Sequence, residues 1–194
     1  MSLVTKMAPD FTAEAVLADG SIDKFTLSNW RGKYVILFFY PLDFTFVCPT
    51  EILAFDRALA NFLPLNTEVV SVSVDSVYAH YAWRNTDRRH GGIGPVSFPM
   101  VSDMSRKIST DYGVLLNDSL ALRGLFLIDK EGIVRHEVVN DLPLGRSVDE
   151  TLRMVKALQF YEAYGDVCPA DWHEGDAAVH PNAAGVKAYI AKHH

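Results

Sequence analysis

Tyr34-Val35-Ile36-Leu37-Phe38-Phe39-Tyr40 is a continuous apolar and aromatic run closed by Pro41. A strand buried on both faces of a sheet needs such a run, and proline, with no N–H for the ladder, ends it. Farther along, Ile52, Phe55, Leu59 and Phe62 recur at helical spacing. Pro49 suits the opening turn of that helix, where a missing N–H leaves no bond unmade. The stretch therefore reads as strand, turn and helix, with Cys48 at the helix start.

The same alternation continues outward. Glu68 to Val74 alternates like a strand, Tyr78 to Arg89 has a helical pattern, and Gly91-Gly92-Ile93-Gly94-Pro95 breaks what precedes it. Upstream, Phe11 to Leu17 and Ile22 to Leu27 flank an Ala18-Asp19-Gly20 turn, a hairpin signal. Downstream, Leu125 to Ile128 and Ile133 to Val139 are joined by Asp129-Lys130-Glu131-Gly132, a second hairpin. Ser147 and Glu150 form a capping-box pattern ahead of Leu152, Val155 and Leu158. Beyond Gly165 the composition turns to Pro, Ala, Gly, Asp and His with little periodicity, so residues 165–194 are expected to form an extended arm that carries Cys168. The sum predicts an α/β protein: a thioredoxin-like fold with a mixed central sheet flanked by helices, an N-terminal hairpin, a domain over residues 1–164 and a C-terminal arm.

Composition narrows the function. The chain has 194 residues, 49% of them hydrophobic, enough for one domain with a substantial core. With 18 basic against 24 acidic side chains it lacks the positive field that nucleic acid or anionic lipid attracts. The run Tyr34 to Tyr40 is far shorter than the roughly 20 residues that span a bilayer, and no apolar leader opens the chain, so a cytoplasmic protein is expected. Seven histidines, His80, His90, His136, His173, His180, His193 and His194, show no ligand spacing, and the last two read as a natural end or a tag remnant. Gly91, Gly92 and Gly94 make no GxGxxG after a strand. Neither a metal nor a cofactor is expected.

Two cysteines are too few for a disulfide scaffold, and Cys48 and Cys168 are too far apart for a CxxC pair. A helix amino terminus carries about half a positive charge and unpaired N–H groups, which stabilise an anion on the sulfur of Cys48. Acidity alone raises the thiolate fraction only about tenfold and also weakens the nucleophile. A peroxidase therefore also needs fixed groups that polarise the O–O bond. Thr45 supplies a hydroxyl, Pro41 can shield the loop from water, and an arginine from a distant strand could hold both sulfur and peroxide, although spacing does not identify it. The alternative, a small buried apolar cysteine, stays open on these residues alone.

The wording of the segment Phe39-Tyr40-Pro41-Leu42-Asp43-Phe44-Thr45-Phe46-Val47-Cys48-Pro49-Thr50-Glu51 goes further, since it resembles the active-site segment of typical two-cysteine peroxiredoxins, PxxxTxxC included. Similar stretches run in the right order along the chain: Ala8-Pro9-Asp10-Phe11 before this segment, and after it Ser71-Val72, Asp75-Ser76, Arg123-Gly124-Leu125-Phe126, Asn140-Asp141-Leu142-Pro143-Leu144-Gly145-Arg146-Ser147 and Val167-Cys168-Pro169. The resemblance implies that Cys48 is the peroxidatic cysteine and Cys168 the resolving one. Thr45 and Arg123 would activate a hydroperoxide, Pro41 would screen the pocket, and Glu51 with Arg146 would support Arg123. It further implies an intersubunit Cys48-Cys168 disulfide in a homodimer, a decamer of five dimers, a thioredoxin-like or flavoprotein reductase as electron donor, and Phe44, Phe46 and Trp83 as interface aromatics. Members sensitive to over-oxidation carry a Gly-Gly-x-Gly loop and a Tyr-Phe pair; this chain has the loop but Tyr189-Ile190, so intermediate sensitivity is expected. Two rival readings are a general thiol-disulfide oxidoreductase, which would need the missing CxxC, and an oligomeric holdase chaperone, which would not need Cys48.

Overall fold

The computed structural model describes residues 2–193, so Met1, and His194 of the terminal histidine pair, lie outside the described residues. The chain forms two compact units, one running to Val148 and one starting at Asp149.

In the first unit the elements are β1 (Thr12–Val16), β2 (Ile22–Thr26), β3 (Tyr34–Phe39), α1 (Cys48–Phe62), β4 (Thr67–Ser73), α2 (Val77–Asn85), β5 (Met100–Ser102), α3 (Lys107–Asp111), β6 (Leu115–Leu116), β7 (Leu120–Ala121), β8 (Arg123–Ile128) and β9 (Val134–Asn140). Seven strands form one mixed sheet in the order β2-β1-β5-β4-β3-β8-β9. The expected central strand is there: β3 is buried along its whole length, parallel to β4 and antiparallel to β8. The backbone N–H of Tyr40 still reaches Val72 O at 3.0 Å, and the ladder stops at Pro41. Helices α1 and α2 pack on this sheet, which is the thioredoxin-like arrangement. Phe38 from β3 stacks on Phe55 of α1 at 4.6 Å between centroids, while Phe39 faces Tyr112 and Phe126. The two faces of β3 thus enter two aromatic clusters, and burying several rings of this size supplies much of the unit's stability.

Helix α2 is shorter than its pattern suggests. It ends at Asn85, Thr86 turns extended, and Asp87 caps a separate 3-10 turn by accepting from the N–H of Arg89. Gly91 closes that turn at φ 83, a left-handed conformation glycine adopts without steric cost. Strand β5 was not anticipated, because three residues are too few to show a period.

The second unit contains all of α4 (Val148–Tyr164) except its first residue, together with α5 (Ala183–His193). The division precedes Gly165, where the composition changes, because α4 packs with the segment that follows it: Phe160 lies 4.9 Å from Trp172, ring to ring. Within residues 165–194, expected to be an extended arm, α5 is a helix. No residue of it is buried, and its one short apolar stripe, Val186, Tyr189 and Ile190, follows Pro181 and Gly185, which read as breakers. Alanine-rich composition and Asn182, whose side chain accepts from the N–H of Gly185 at 2.8 Å, favour it instead.

Candidate active site

The chain leaves β3 at Tyr40 and enters α1 at Cys48, so the intervening loop hangs from the end of the central strand. Asp43 fastens it. Its carboxylate, buried at 8% exposure, accepts from Tyr40 Oη at 2.7 Å and lies 2.8 Å from His80 Nδ1, and its backbone N–H donates to Asp75 at 3.0 Å. Burial pushes the Asp43 carboxyl up against the opposing pull of His80, and it pushes the Tyr40 hydroxyl well above its usual range. Phe44 follows in the left-handed region at φ 53, which turns the chain sharply toward Thr45. These anchors were not foreseen; a histidine with no ligand spacing gives no sequence signal of a partner thirty-seven positions away.

Cys48 occupies the first helical position and Pro49 the second, and Val47 before them provides no side-chain cap. The sulfur is fully buried from bulk solvent, yet it lines a cavity of about 460 Å3 together with Pro41, Leu42, Thr45, Phe46, Val47, Leu120, Arg123, Leu142 and Pro143. Arg123 at the start of β8 approaches it, with Nη1 at 3.5 Å from Sγ. That same Nη1 donates to Glu51 Oε2 at 2.7 Å, and Nε donates to Leu142 O at 2.7 Å. Arg146 grips Glu51 from the other side: its backbone N and Nε reach Oε1 at 2.8 Å each, and Nη2 reaches Oε2 at 2.9 Å. Its Nη1 is spent on Phe39 O and Gly124 O.

The helical register explains the grouping, because Glu51 lies three residues after Cys48 and shares its face of α1. Burial alone would raise the Glu51 carboxyl, but the Arg146 fork and then Arg123 outweigh it and hold the group below its ordinary value. Burial lowers the Arg146 guanidinium, with Glu51 opposing. Two guanidiniums and one carboxylate, each at most 9% exposed, leave a formal charge of +1, which a thiolate at Cys48 would balance. Thr45 donates its hydroxyl hydrogen to Leu42 O at 2.8 Å, so its lone pairs, rather than its hydrogen, are left for a bound molecule.

The residues singled out from the sequence thus divide. Pro41, Thr45, Cys48 and Arg123 line one cavity, and Glu51 and Arg146 stand behind Arg123. Cys168 belongs to the second unit, where its sulfur is partly exposed and donates to Ala157 O at 3.5 Å. Both cysteines are free thiols. Phe46 is 93% exposed and Phe44 52%, but Trp83, expected beside them as an interface residue, is fully buried in its own unit. Its Nε1 donates to Gly91 O and its ring lies 5.7 Å from that of Phe44, so it supports the aromatic surface from behind. Leu120, Leu142 and Pro143 were missed as cavity walls, since they come from the two-residue strand β7 and from the loop after β9, whose approach no local pattern encodes. Among the described residues no helix is long and apolar enough to cross a membrane.

A thiol at a helix start on a thioredoxin-like sheet, beside a buried guanidinium and an apolar cavity, is the arrangement that thiol-based redox chemistry requires. Comparison with known proteins makes the class specific. The model of the AhpC/TSA family matches residues 4–137, and that of the C-terminal domain of 1-Cys peroxiredoxin matches residues 157–192. The chain is 54% identical to peroxiredoxin-2 of Bos taurus, covering 98% of this chain and 96% of that protein. It superimposes on the reduced 2-Cys peroxiredoxin of Plasmodium vivax with a TM-score of 0.97 at 50% identity, covering 98% of this chain and 100% of the other. Thioredoxin peroxidase I of Plasmodium yoelii gives a TM-score of 0.80 at 52% identity, covering 89% and 99%. The chain belongs to the AhpC/TSA family of peroxiredoxins and is a thiol-dependent peroxidase.

Proposed function

We propose that Cys48 is the peroxidatic nucleophile and that Cys168 resolves its oxidised form. The observation that carries this reading is Arg123 Nη1 at 3.5 Å from the Cys48 sulfur, beside a cavity large enough for a hydroperoxide. The thiolate attacks the terminal peroxide oxygen, the S–O bond forms as O–O breaks, and the departing oxygen takes a proton to leave as water or an alcohol. Arg123 stabilises the charge that develops on the oxygens, and Thr45, its hydrogen already committed to Leu42, accepts from the peroxide O–H. Pro41 covers the loop side. Glu51 and Arg146 keep the Arg123 fork aimed at the sulfur. Walls of Leu42, Val47, Leu120, Leu142 and Pro143 suit organic hydroperoxides as well as hydrogen peroxide.

The sulfenic acid of Cys48 then condenses with Cys168 of a second subunit. The exposed Phe44 and Phe46 suit a homodimer that assembles further into a decamer of five dimers. A thioredoxin-like protein or a flavoprotein reductase restores both thiols, in the reducing cytoplasm. Peroxide consumption by the wild type, Cys48→Ser and Cys168→Ser tests the scheme. Expected are no turnover for Cys48→Ser, and one stoichiometric turnover for Cys168→Ser without added thiol. Equal multiple turnover by all three removes the mechanism, and a persistent monomer on non-reducing electrophoresis after peroxide removes the intersubunit disulfide.

A further inference from the structure

The chain is acidic as a whole, with 24 acidic against 18 basic side chains, yet Arg84, Arg88, Arg89 and His90 crowd into residues 84–90 beside one acid, Asp87. The three arginines line an open cavity of about 580 Å3, which Asp87, Gly94 and Pro95 share. It has no lining residue in common with the cavity at Cys48. Arg84, 5% exposed, donates from Nη1 and Nη2 to Leu17 O and Ala18 O, in the turn between β1 and β2, at 2.7 and 2.5 Å. A cation in the last turn of a helix commonly serves that helix's own carbonyls. Here Asn85 and Thr86 side chains already donate to Tyr81 O and Ala82 O, and the Arg84 fork points to another segment. Burial lowers its pKa, with Asp19 and Asp56 opposing, and among the described residues no carboxylate bonds to it. Arg88 donates from Nε to Ile93 O at 2.9 Å, and its Nη1 and Nη2 have no partner among the described residues. Asp87, the one carboxylate among the described residues lining the cavity, is spent on Arg89, accepting from its backbone N, Nε and Nη2.

We infer that this cavity is a binding site for a small polyphosphate, held by Arg88 and Arg89 at the rim over the buried charge of Arg84. Three guanidiniums against one carboxylate leave a positive surplus that an anion of charge two or more neutralises. The free edge of Arg88 matches two phosphate oxygens at once. The volume exceeds what a single phosphate fills, and no aromatic ring lines the walls to stack on a base, so the phosphate chain itself is what is recognised. The acidic balance of the whole chain disfavours an extended polyanion such as nucleic acid. An occupant also stiffens the glycine-rich turn. The N–H groups of Gly91, Gly92, Ile93 and Gly94 donate to Arg88 O, Asp87 O, Trp83 O and Thr86 O, all within or next to the arginine-bearing segment. Fixing that segment therefore protects those four amides.

Titration calorimetry of the full reduced chain with tripolyphosphate tests the site. One anion per chain is expected, with a Kd on the order of 0.1 mM that rises with added sodium chloride. Orthophosphate, with less charge and fewer oxygens, should bind about tenfold more weakly. Arg88→Gln should weaken tripolyphosphate about tenfold, and Arg88→Lys, which keeps the charge but not the fork, about threefold. Arg106→Gln, a control outside the cavity, should stay within about twofold. Arg88 and Arg106 are both exposed, so these variants leave the core intact. Hydrogen exchange supplies the second readout: tripolyphosphate should slow residues 91–94 in the wild type and not in Arg88→Gln. Absence of saturable binding up to about 2 mM overturns the inference. So does an Arg88→Gln affinity equal to the wild type's, protection that spares residues 91–94, or a short oligonucleotide that binds more tightly than tripolyphosphate. None of these readouts involves the thiol chemistry of Cys48.

Discussion

Replacing Glu51 by Gln tests the electrostatic core of the site. The carboxylate, 4% exposed, receives four hydrogen bonds: one from Arg123 Nη1, and three from Arg146 through its backbone N, Nε and Nη2, all between 2.7 and 2.9 Å. Glutamine keeps one acceptor oxygen and turns the other into an NH2 that faces N–H donors. Two buried guanidiniums are then left without their counter-charge, and breaking a buried pair of this kind costs about 3–5 kcal/mol. Arg123 also loses the acceptor that aims Nη1 at Cys48. Losing one fixed donor at a developing oxyanion lowers rates about 100- to 1,000-fold, so peroxide reduction should fall by that order.

The pH dependence gives the sign. Glu51 has a folded pKa held below its ordinary value, so its stabilising contribution is complete above the unfolded value of about 4.3 and is lost as pH falls through the lower, folded value. The gap between wild type and Glu51→Gln in urea denaturation, at one fixed protein concentration, should therefore be widest near neutrality and close only below the usual carboxylate range. Stopped-flow oxidation of Cys48 by hydrogen peroxide reads the kinetic half. A variant within about 0.5 kcal/mol of wild type at pH 7, the range of an ordinary surface change, would refute the view that Glu51 compensates the arginines.

Two other changes probe the loops. Thr45→Val removes the lone pairs offered to the peroxide and the bond to Leu42 O, and should slow Cys48 oxidation about 100-fold, while Thr45→Ser stays within about tenfold, both by stopped flow. Gly92→Ala drives a methyl group into the backbone oxygen of Thr86, so the loop must shift; a loss of about 1–3 kcal/mol in stability by denaturation is expected, and a neutral result would contradict the close approach.

The limits of reading the sequence follow from the range of the interactions involved. Strand β3 and helix α1 were legible because each carries its own period, apolar throughout in one and every third or fourth residue in the other. Helix α5 was not, since its short stripe, Val186, Tyr189 and Ile190, is packed on nothing that lengthens it and follows the breakers Pro181 and Gly185. The site divides along the same line. Cys48, Thr45 and Pro41 sit within one short segment, and helical geometry alone puts Glu51 on the Cys48 face. Arg123 and Arg146 reach that carboxylate across seventy-two and ninety-five positions, a pairing that resemblance could suggest but spacing could not.

The Asp43 anchor shows why that distance matters for the chemistry. Held by Tyr40, His80 and Asp75 from three places in the fold, it fixes the loop that turns at Phe44 and delivers Thr45 to the cavity. Two of those partners arrive from the end of β4 and from α2, so the loop is rigid only once the sheet and α2 have assembled. The PxxxTxxC wording specifies which groups react, whereas residues outside it, Asp75, His80, Arg123 and Arg146, determine whether those groups meet at hydrogen-bonding distance. Asp43, His80, Glu51, Arg123 and Arg146, each at most 9% exposed and with polar atoms directed at one another, keep such a site ready without reorganisation when the substrate arrives.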